Sequence, residues 1–124
     1  MLGTNFPAKK YLPKDCNLLL SNVSNIISNS DITFGNLEGC LSDNAKLKKR
    51  CKDSTKCYAF RMPEKFGACL KSIGLDIVSI ANNHIMDFGI EGLSDTKKIL
   101  DSLDIEYAGT IEDPYTIFVK DSIT

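Results

Sequence analysis

Histidine is almost absent from this chain: His84 is the only one in 124 residues. Several other features are missing altogether. No C-x-x-C pair occurs, which argues against a zinc ribbon. No apolar run approaches the roughly 20 residues a membrane-spanning helix needs. The opening stretch MLGTNFPAKKYLPK has no signal-type apolar core. There is no basic excess either, since the formal net charge is -1, so the charge balance does not call for nucleic acid. Internal repeats and low-complexity segments are also lacking.

What remains has the composition of an ordinary folded domain, 43% hydrophobic and 25% charged. At this length one domain, residues 1–124, is expected. One basic run, Lys46, Lys48, Lys49, Arg50 and Lys52, lies among Asp43, Asn44 and Asp53. It reads first as a solvated loop and second as a patch for a polyanionic substrate. The five cysteines are Cys16, Cys40, Cys51, Cys57 and Cys69, an odd number that cannot all pair within the chain. Cys51 and Cys57 bracket the short loop KDSTK. They close it in an oxidising compartment and stay free in a reducing one.

Apolar periodicity outlines the elements. Residues 16–28 read as a helix with Leu19, Val23, Ile26 and Ile27 on one face and Asp15 as N-cap. DITFG (31–35) reads as a short buried strand with Ile32 and Phe34 pointing the same way. Residues 39–57 are polar and aperiodic, hence loop or insertion. A second helix starts near Pro63, faces inward through Phe66, Cys69, Leu70 and Ile73, and stops at Gly74. DIVSI (76–80) is a buried strand. A third helix from about Glu91 turns Leu93, Thr96, Leu100 and Leu103 inward. IEYAG (105–109) and YTIFVK (115–120) read as strands, with the turn EDP between them. Helices alternating with strands predict an α/β fold with a mainly parallel sheet.

In such folds, loops leaving the carboxyl ends of strands share one edge, and ligands bind there. DITFG runs into Asn36, Leu37, Glu38 and Gly39. DIVSI runs into Ala81, Asn82, Asn83 and His84. Both loops should therefore bring oxygen and imidazole donors to one edge, a set suited to Mn²⁺, Mg²⁺, Zn²⁺ or Fe²⁺. Each residue also has a purely structural use: Asn36 and Asn83 in turns, His84 at a helix start, and Asp87 as a helix cap or a partner that orients His84. Gly89 and Gly92 suit the turn and close packing.

The segments DITFGNLEG, CYAFRMPE, VSIANNHIMDFGIEG and YAGT resemble the CapA family. These bacterial proteins are associated with capsule and poly-γ-glutamate synthesis and are similar to calcineurin-like metallophosphoesterases. The resemblance implies a partial αββα sandwich with a site, holding two divalent ions, at the strand ends. By that similarity Asn83 and Asn36 are metal ligands, and His84 stabilises or protonates the leaving group. Asn36 replaces the superfamily aspartate, so Glu38 is expected to supply the carboxylate. The resemblance further implies a Gly-Asp strand immediately before Met1 and more strands and histidine-bearing loops after Thr124. The chain would then cover roughly the N-terminal half of the domain and be inactive alone. Two functions fit. One is a metal-dependent hydrolase acting on a phosphoester or γ-glutamyl bond. The other is a non-catalytic metal- or polymer-binding part of a capsule-synthesis membrane complex, associated with the cell envelope or extracytoplasmic.

Overall fold

The computed structural model describes residues 4–8 and 12–120. Asp15 caps the first helix as expected, accepting a hydrogen bond from Asn17 N at 2.9 Å. Along the chain run β1 (Thr4–Asn5), α1 (Cys16–Ser28), β2 (Phe34–Asn36), β3 (Cys40–Leu41), β4 (Phe60–Met62), α2 (Phe66–Ser72), β5 (Ile77–Ser79), α3 (Gly89–Ser102) and β6 (Glu106–Ala108). A 3-10 turn spans Ser54–Lys56.

The strands form two small sheets in a mixed α/β structure. One has the order β2-β5-β6 and is wholly parallel, with Gly35 opposite Val78 and Val78 opposite Tyr107. Its crossover from β5 to β6 is α3, and the connection from β2 to β5 includes α2. The other sheet has the order β1-β4-β3, with β1 antiparallel and β3 parallel to β4. One apolar cluster joins both sheets: Cys40, Leu41 and Met62 from one, Val78, Ile80 and Ile105 from in and beside the other, with Phe66, Phe88 and Leu100 from the helices and the turn before α3. Gly92 lets α3 lie close to β3, since a Cβ there would come within 2.8 Å of Phe88 Cβ and 3.1 Å of Cys40 Sγ. Thr96 Oγ1 accepts from Leu41 N at 2.9 Å and donates to Gly92 O, so the two elements are also joined by a buried polar bridge.

The inward faces expected for α2 and α3 are buried, apart from Leu103, which is half-buried. Gly74 follows α2 and donates to Lys71 O at 2.9 Å. Three expectations are corrected. The face of α1 is not buried: Leu19, Val23 and Ile26 are exposed, and Cys16 is the one buried residue of that helix. Periodicity defines an apolar stripe but not a surface to cover it. Phe34 likewise points to solvent from the edge strand β2. Segment 115–120 forms no ladder beyond a single bridge at Lys120, and Tyr115, Ile117 and Val119 are exposed. Strand propensity without a neighbouring strand to pair with yields extended chain only.

Segment 39–57 is also more ordered than its composition suggested. It contains β3, and Cys51 is bonded to Cys57 with Cα atoms 5.6 Å apart. A second disulfide joins Cys16 of α1 to Cys69 of α2, with Cα atoms 6.2 Å apart. Cys40 is the free, buried cysteine.

Candidate functional site

The parallel pairing of β2 with β5 places Asn36 opposite Ser79 at the carboxyl ends of both strands. From there the two loops meet. Asn82 Nδ2 donates to Leu37 O at 2.9 Å and to Asn36 Oδ1 at 3.4 Å, and Asn82 Oδ1 accepts from His84 N at 3.0 Å. Asn82 thus stitches the loops together. Asn36 Nδ2 lies 3.5 Å from Glu38 Oε2, and Glu38 Oε1 lies 3.9 Å from His84 Nε2. Asn83 sits exposed beside this group.

Two glycines set the loop paths. Gly39 has φ +89°, and a Cβ there would come within 2.8 Å of Phe60 O. Gly109 has φ +121° and lies so close to Ala81 that a Cβ would sit 2.5 Å from its backbone nitrogen. Both positions require glycine. The second holds the end of β6 against the start of the histidine loop.

His84 is almost enclosed, with 8% of its surface exposed. Its Nδ1 lies 2.7 Å from Asp87 Oδ2, and the edge of the Phe60 ring packs on it with centroids 4.4 Å apart. Asp87 is 2% exposed and has three partners: the imidazole, Phe60 N at 3.0 Å, and the Lys49 ammonium at 2.8 Å from Oδ1. Its backbone carbonyl accepts from Lys48 N and Lys49 N at 2.9 and 2.8 Å. Asp87 Oδ2 thus fixes the ring on its Nδ1 side, and Nε2 is the nitrogen turned toward Glu38.

Lys49 and Asn82 are the members of this group that residue patterns did not single out. Lys49 was hidden in the basic run, where Lys46, Lys48, Arg50 and Lys52 are indeed exposed. Its half-buried position depends on a contact 38 residues away in sequence, which no local pattern encodes. The signal for Asn82 was its place in the doublet before histidine.

The donors suited to a cation are the Glu38 carboxylate, His84 Nε2 and the amide oxygens of Asn36 and Asn83. Among the described residues, no three His, Cys, Asp or Glu side chains cluster as a metal-holding group. Asn36 Oδ1 is already engaged by Asn82. The donor chemistry fits an oxygen-preferring divalent ion in kind, and supplies part of its shell in number.

Residues 1–116 match the bacterial capsule synthesis protein PGA_cap family. The chain is 34% identical over 93 residues to each of the uncharacterized proteins y4sH and y4uA of Sinorhizobium fredii (strain NBRC 101917 / NGR234), covering 74% of this chain and 20% of each of those proteins. It is 33% identical over 92 residues to the capsule biosynthesis protein CapA of Bacillus anthracis, covering 73% of this chain and 21% of that protein. The chain belongs to the PGA_cap family of bacterial capsule synthesis proteins, and it spans about a fifth of the length of these curated relatives.

Proposed function

We propose that this chain carries part of the site of a metal-dependent hydrolase acting in capsule polymer synthesis, on a phosphoester or γ-glutamyl bond. The observation that supports this best is the approach of Glu38 to His84 Nε2, with Asp87 buried behind the ring. Glu38, Asn36 and Asn83 would hold a divalent ion, with a second ion in the intact protein, and the fold would be part of an αββα sandwich. Such an ion, when bound, neutralises charge and polarises a phosphoryl or acyl oxygen. The remaining work falls to this chain's own groups. Asp87 fixes the ring orientation. Protonated His84 delivers its Nε2 proton to the leaving atom, the role of a general acid. The run holding the exposed cations Lys46, Lys48, Arg50 and Lys52 is anchored to the histidine loop through Lys48 N and Lys49 N on the Asp87 carbonyl, and such cations would suit an anionic substrate or polymer.

A second reading is a non-catalytic metal- or polymer-binding component of an envelope-associated complex. The engagement of Asn36 Oδ1 by Asn82 favours it. No helix among the described residues is long and apolar enough to cross a membrane.

Metal analysis and a panel of phosphoester and γ-glutamyl substrates separate the two. With the intact protein, Glu38→Ala is expected to lower both metal content and turnover. His84→Ala should lower turnover by about 10²–10⁴-fold and leave the metal in place. If His84→Ala removes metal as fully as Glu38→Ala does, His84 is a ligand. Stoichiometric metal with no turnover on any substrate supports the binding component.

A further inference from the structure

The two disulfides differ in what can reach them. Cys16 and Cys69 are 4% and 7% exposed and belong to the apolar cluster. Cys51 is exposed and Cys57 half-buried, at the neck of the polar loop KDSTK. We propose that Cys51–Cys57 is a thiol-exchange site, opened by a dithiol reductant, and that its state governs how firmly the basic run is held on Asp87.

Exchange requires a thiolate to attack one sulfur and expel the other, so its rate follows access and the ease with which the second sulfur leaves. Access favours Cys51 as the sulfur attacked and Cys57 as the one expelled. Arg50 and Lys52 flank Cys51, Lys56 precedes Cys57, and all three are exposed, so the departing thiolate forms among positive charges. The one carboxylate within the ring, Asp53, is taken up by Thr55, accepting from its N at 2.9 Å and its Oγ1 at 2.6 Å. The first thiolate of the reductant bonds to Cys51 Sγ as the S–S bond breaks, and Cys57 leaves with the electron pair. The reductant's second thiol then attacks the reductant sulfur of this mixed disulfide and expels Cys51. Two electrons and two protons pass to the protein, which now holds two thiols, and the reductant departs as a cyclic disulfide. Cys40 has no exposed surface and stays out of the exchange.

The bond closes the loop just beyond two sets of contacts on Asp87. Before it in sequence, Lys48 N and Lys49 N donate to the Asp87 carbonyl at 2.9 and 2.8 Å, and the Lys49 ammonium lies 2.8 Å from Oδ1. After it, Phe60 N donates to Oδ2 at 3.0 Å, and the Phe60 ring packs on His84. Phe60 belongs to β4 and is held by its sheet as well. Residues 45–50 run outside both sheets, and the crosslink ties their far end to the residues leading into β4. Opening it leaves Lys48 and Lys49 on a longer free connection, which costs more entropy to hold in place. Reduction therefore loosens the lysine side of the clasp on Asp87 and spares the β4 side.

The regulatory meaning of this site rests on the proposed hydrolase; the exchange itself does not, and its test reads thiols and amides rather than turnover. The intact, folded protein is treated with graded dithiothreitol, alkylated and read by peptide mass spectrometry. Cys51 and Cys57 are expected to label while Cys16, Cys69 and Cys40 stay unlabelled. Labelling of Cys16 and Cys69 at the same rate or earlier overturns the proposal. With the bond open, the amides of Lys48 and Lys49 should exchange hydrogen about 10-fold faster, with those of α3 unchanged. Unchanged protection at Lys48 and Lys49 equally overturns it. The Cys51→Ser/Cys57→Ser protein should show the same amide pattern without reductant, and if that variant does not fold, the selectively reduced protein is read by the same criterion. Selective opening with faster amides, in a protein that turns over no substrate in either state, supports the exchange site and counts against the hydrolase.

Discussion

The two ends of the molecule treat the same kind of apolar stripe in opposite ways. Around β3, β4, α2 and α3 the core is covered: Cys40, Leu41, Phe88 and Leu100 have no exposed surface, and Leu103 is half-buried. Around β2 and α1 the comparable residues are bare. Leu18 and Ile26 are 73% and 74% exposed, and Phe34 67%. Periodicity is equally clear in α1 and α3, so it does not decide burial. What decides it is whether a sheet lies beneath. The candidate site stands at the seam, with Asn36 from the bare end and His84 and Asp87 from the packed end.

The largest expected effect comes from breaking the packed end. Phe88 packs edge-on against Phe6 at 5.3 Å, with the Arg61 guanidinium 5.3 Å from its ring. Phe88→Ala should cost about 3–5 kcal/mol in denaturant unfolding, as buried aromatics do. Ile26→Ala on α1 should cost no more than about 0.5 kcal/mol, as surface changes do. Equal costs for both would erase the contrast.

Next in size is the link between the ends. The Cys16–Cys69 disulfide closes a loop of separation 53, for which chain-entropy reasoning gives about 4 kcal/mol. The Cys51–Cys57 loop, of separation 6, gives about 2 kcal/mol. Removing each pair by serine substitution should reproduce that order in midpoint shifts. Thiol titration of the unreduced, denatured protein should count one thiol, Cys40. In the native state the same thiol should resist alkylation, because burial outweighs the nearby Arg61 and pushes its pKa up to about 12.

The smallest effect tests a tether on the covered side. Lys97 of α3 pairs with Asp113 at 2.5 Å and Glu112 at 3.2 Å. The pairing with Asp113 raises the Lys97 pKa and lowers that of Asp113. A lowered carboxyl pKa adds stability above the ordinary aspartate range that is lost as pH falls through the folded value. A raised lysine pKa adds stability below the ordinary lysine range that is lost as pH climbs through the folded value. The contribution should therefore be flat between those limits and worth about 0.2–1 kcal/mol for a half-buried pair at the surface. Lys97→Met should remove that much at neutral pH, and a loss well above 1 kcal/mol would show that the turn is held more firmly.

Much of this was legible in sequence where signals were local. The Asp15 cap, the inward stripes of α2 and α3, the parallel strands and the convergence of Glu38 with His84 all follow from spacing and element order. The failures were non-local. The β3–β4 pairing joins residues such as Cys40 and Arg61 that carry no alternation signal in strands this short. The Cys16–Cys69 bond depends on how α1 lies against α2. Segment 115–120 has strand-forming residues and no ladder, since pairing is a property of two segments.

The disulfides also change what a protease can do to this protein. Cys16–Cys69 makes residues 16–69 a covalent ring, and Cys51–Cys57 is a smaller ring inside it. The exposed Lys46, Lys48, Arg50 and Lys52 are cleavage points for a trypsin-like enzyme, and all of them lie within the larger ring. A single nick at any of them opens the ring without dividing the chain. Glu38 and His84, on opposite sides of such a nick, stay joined through Cys16 and Cys69 until a reductant separates them.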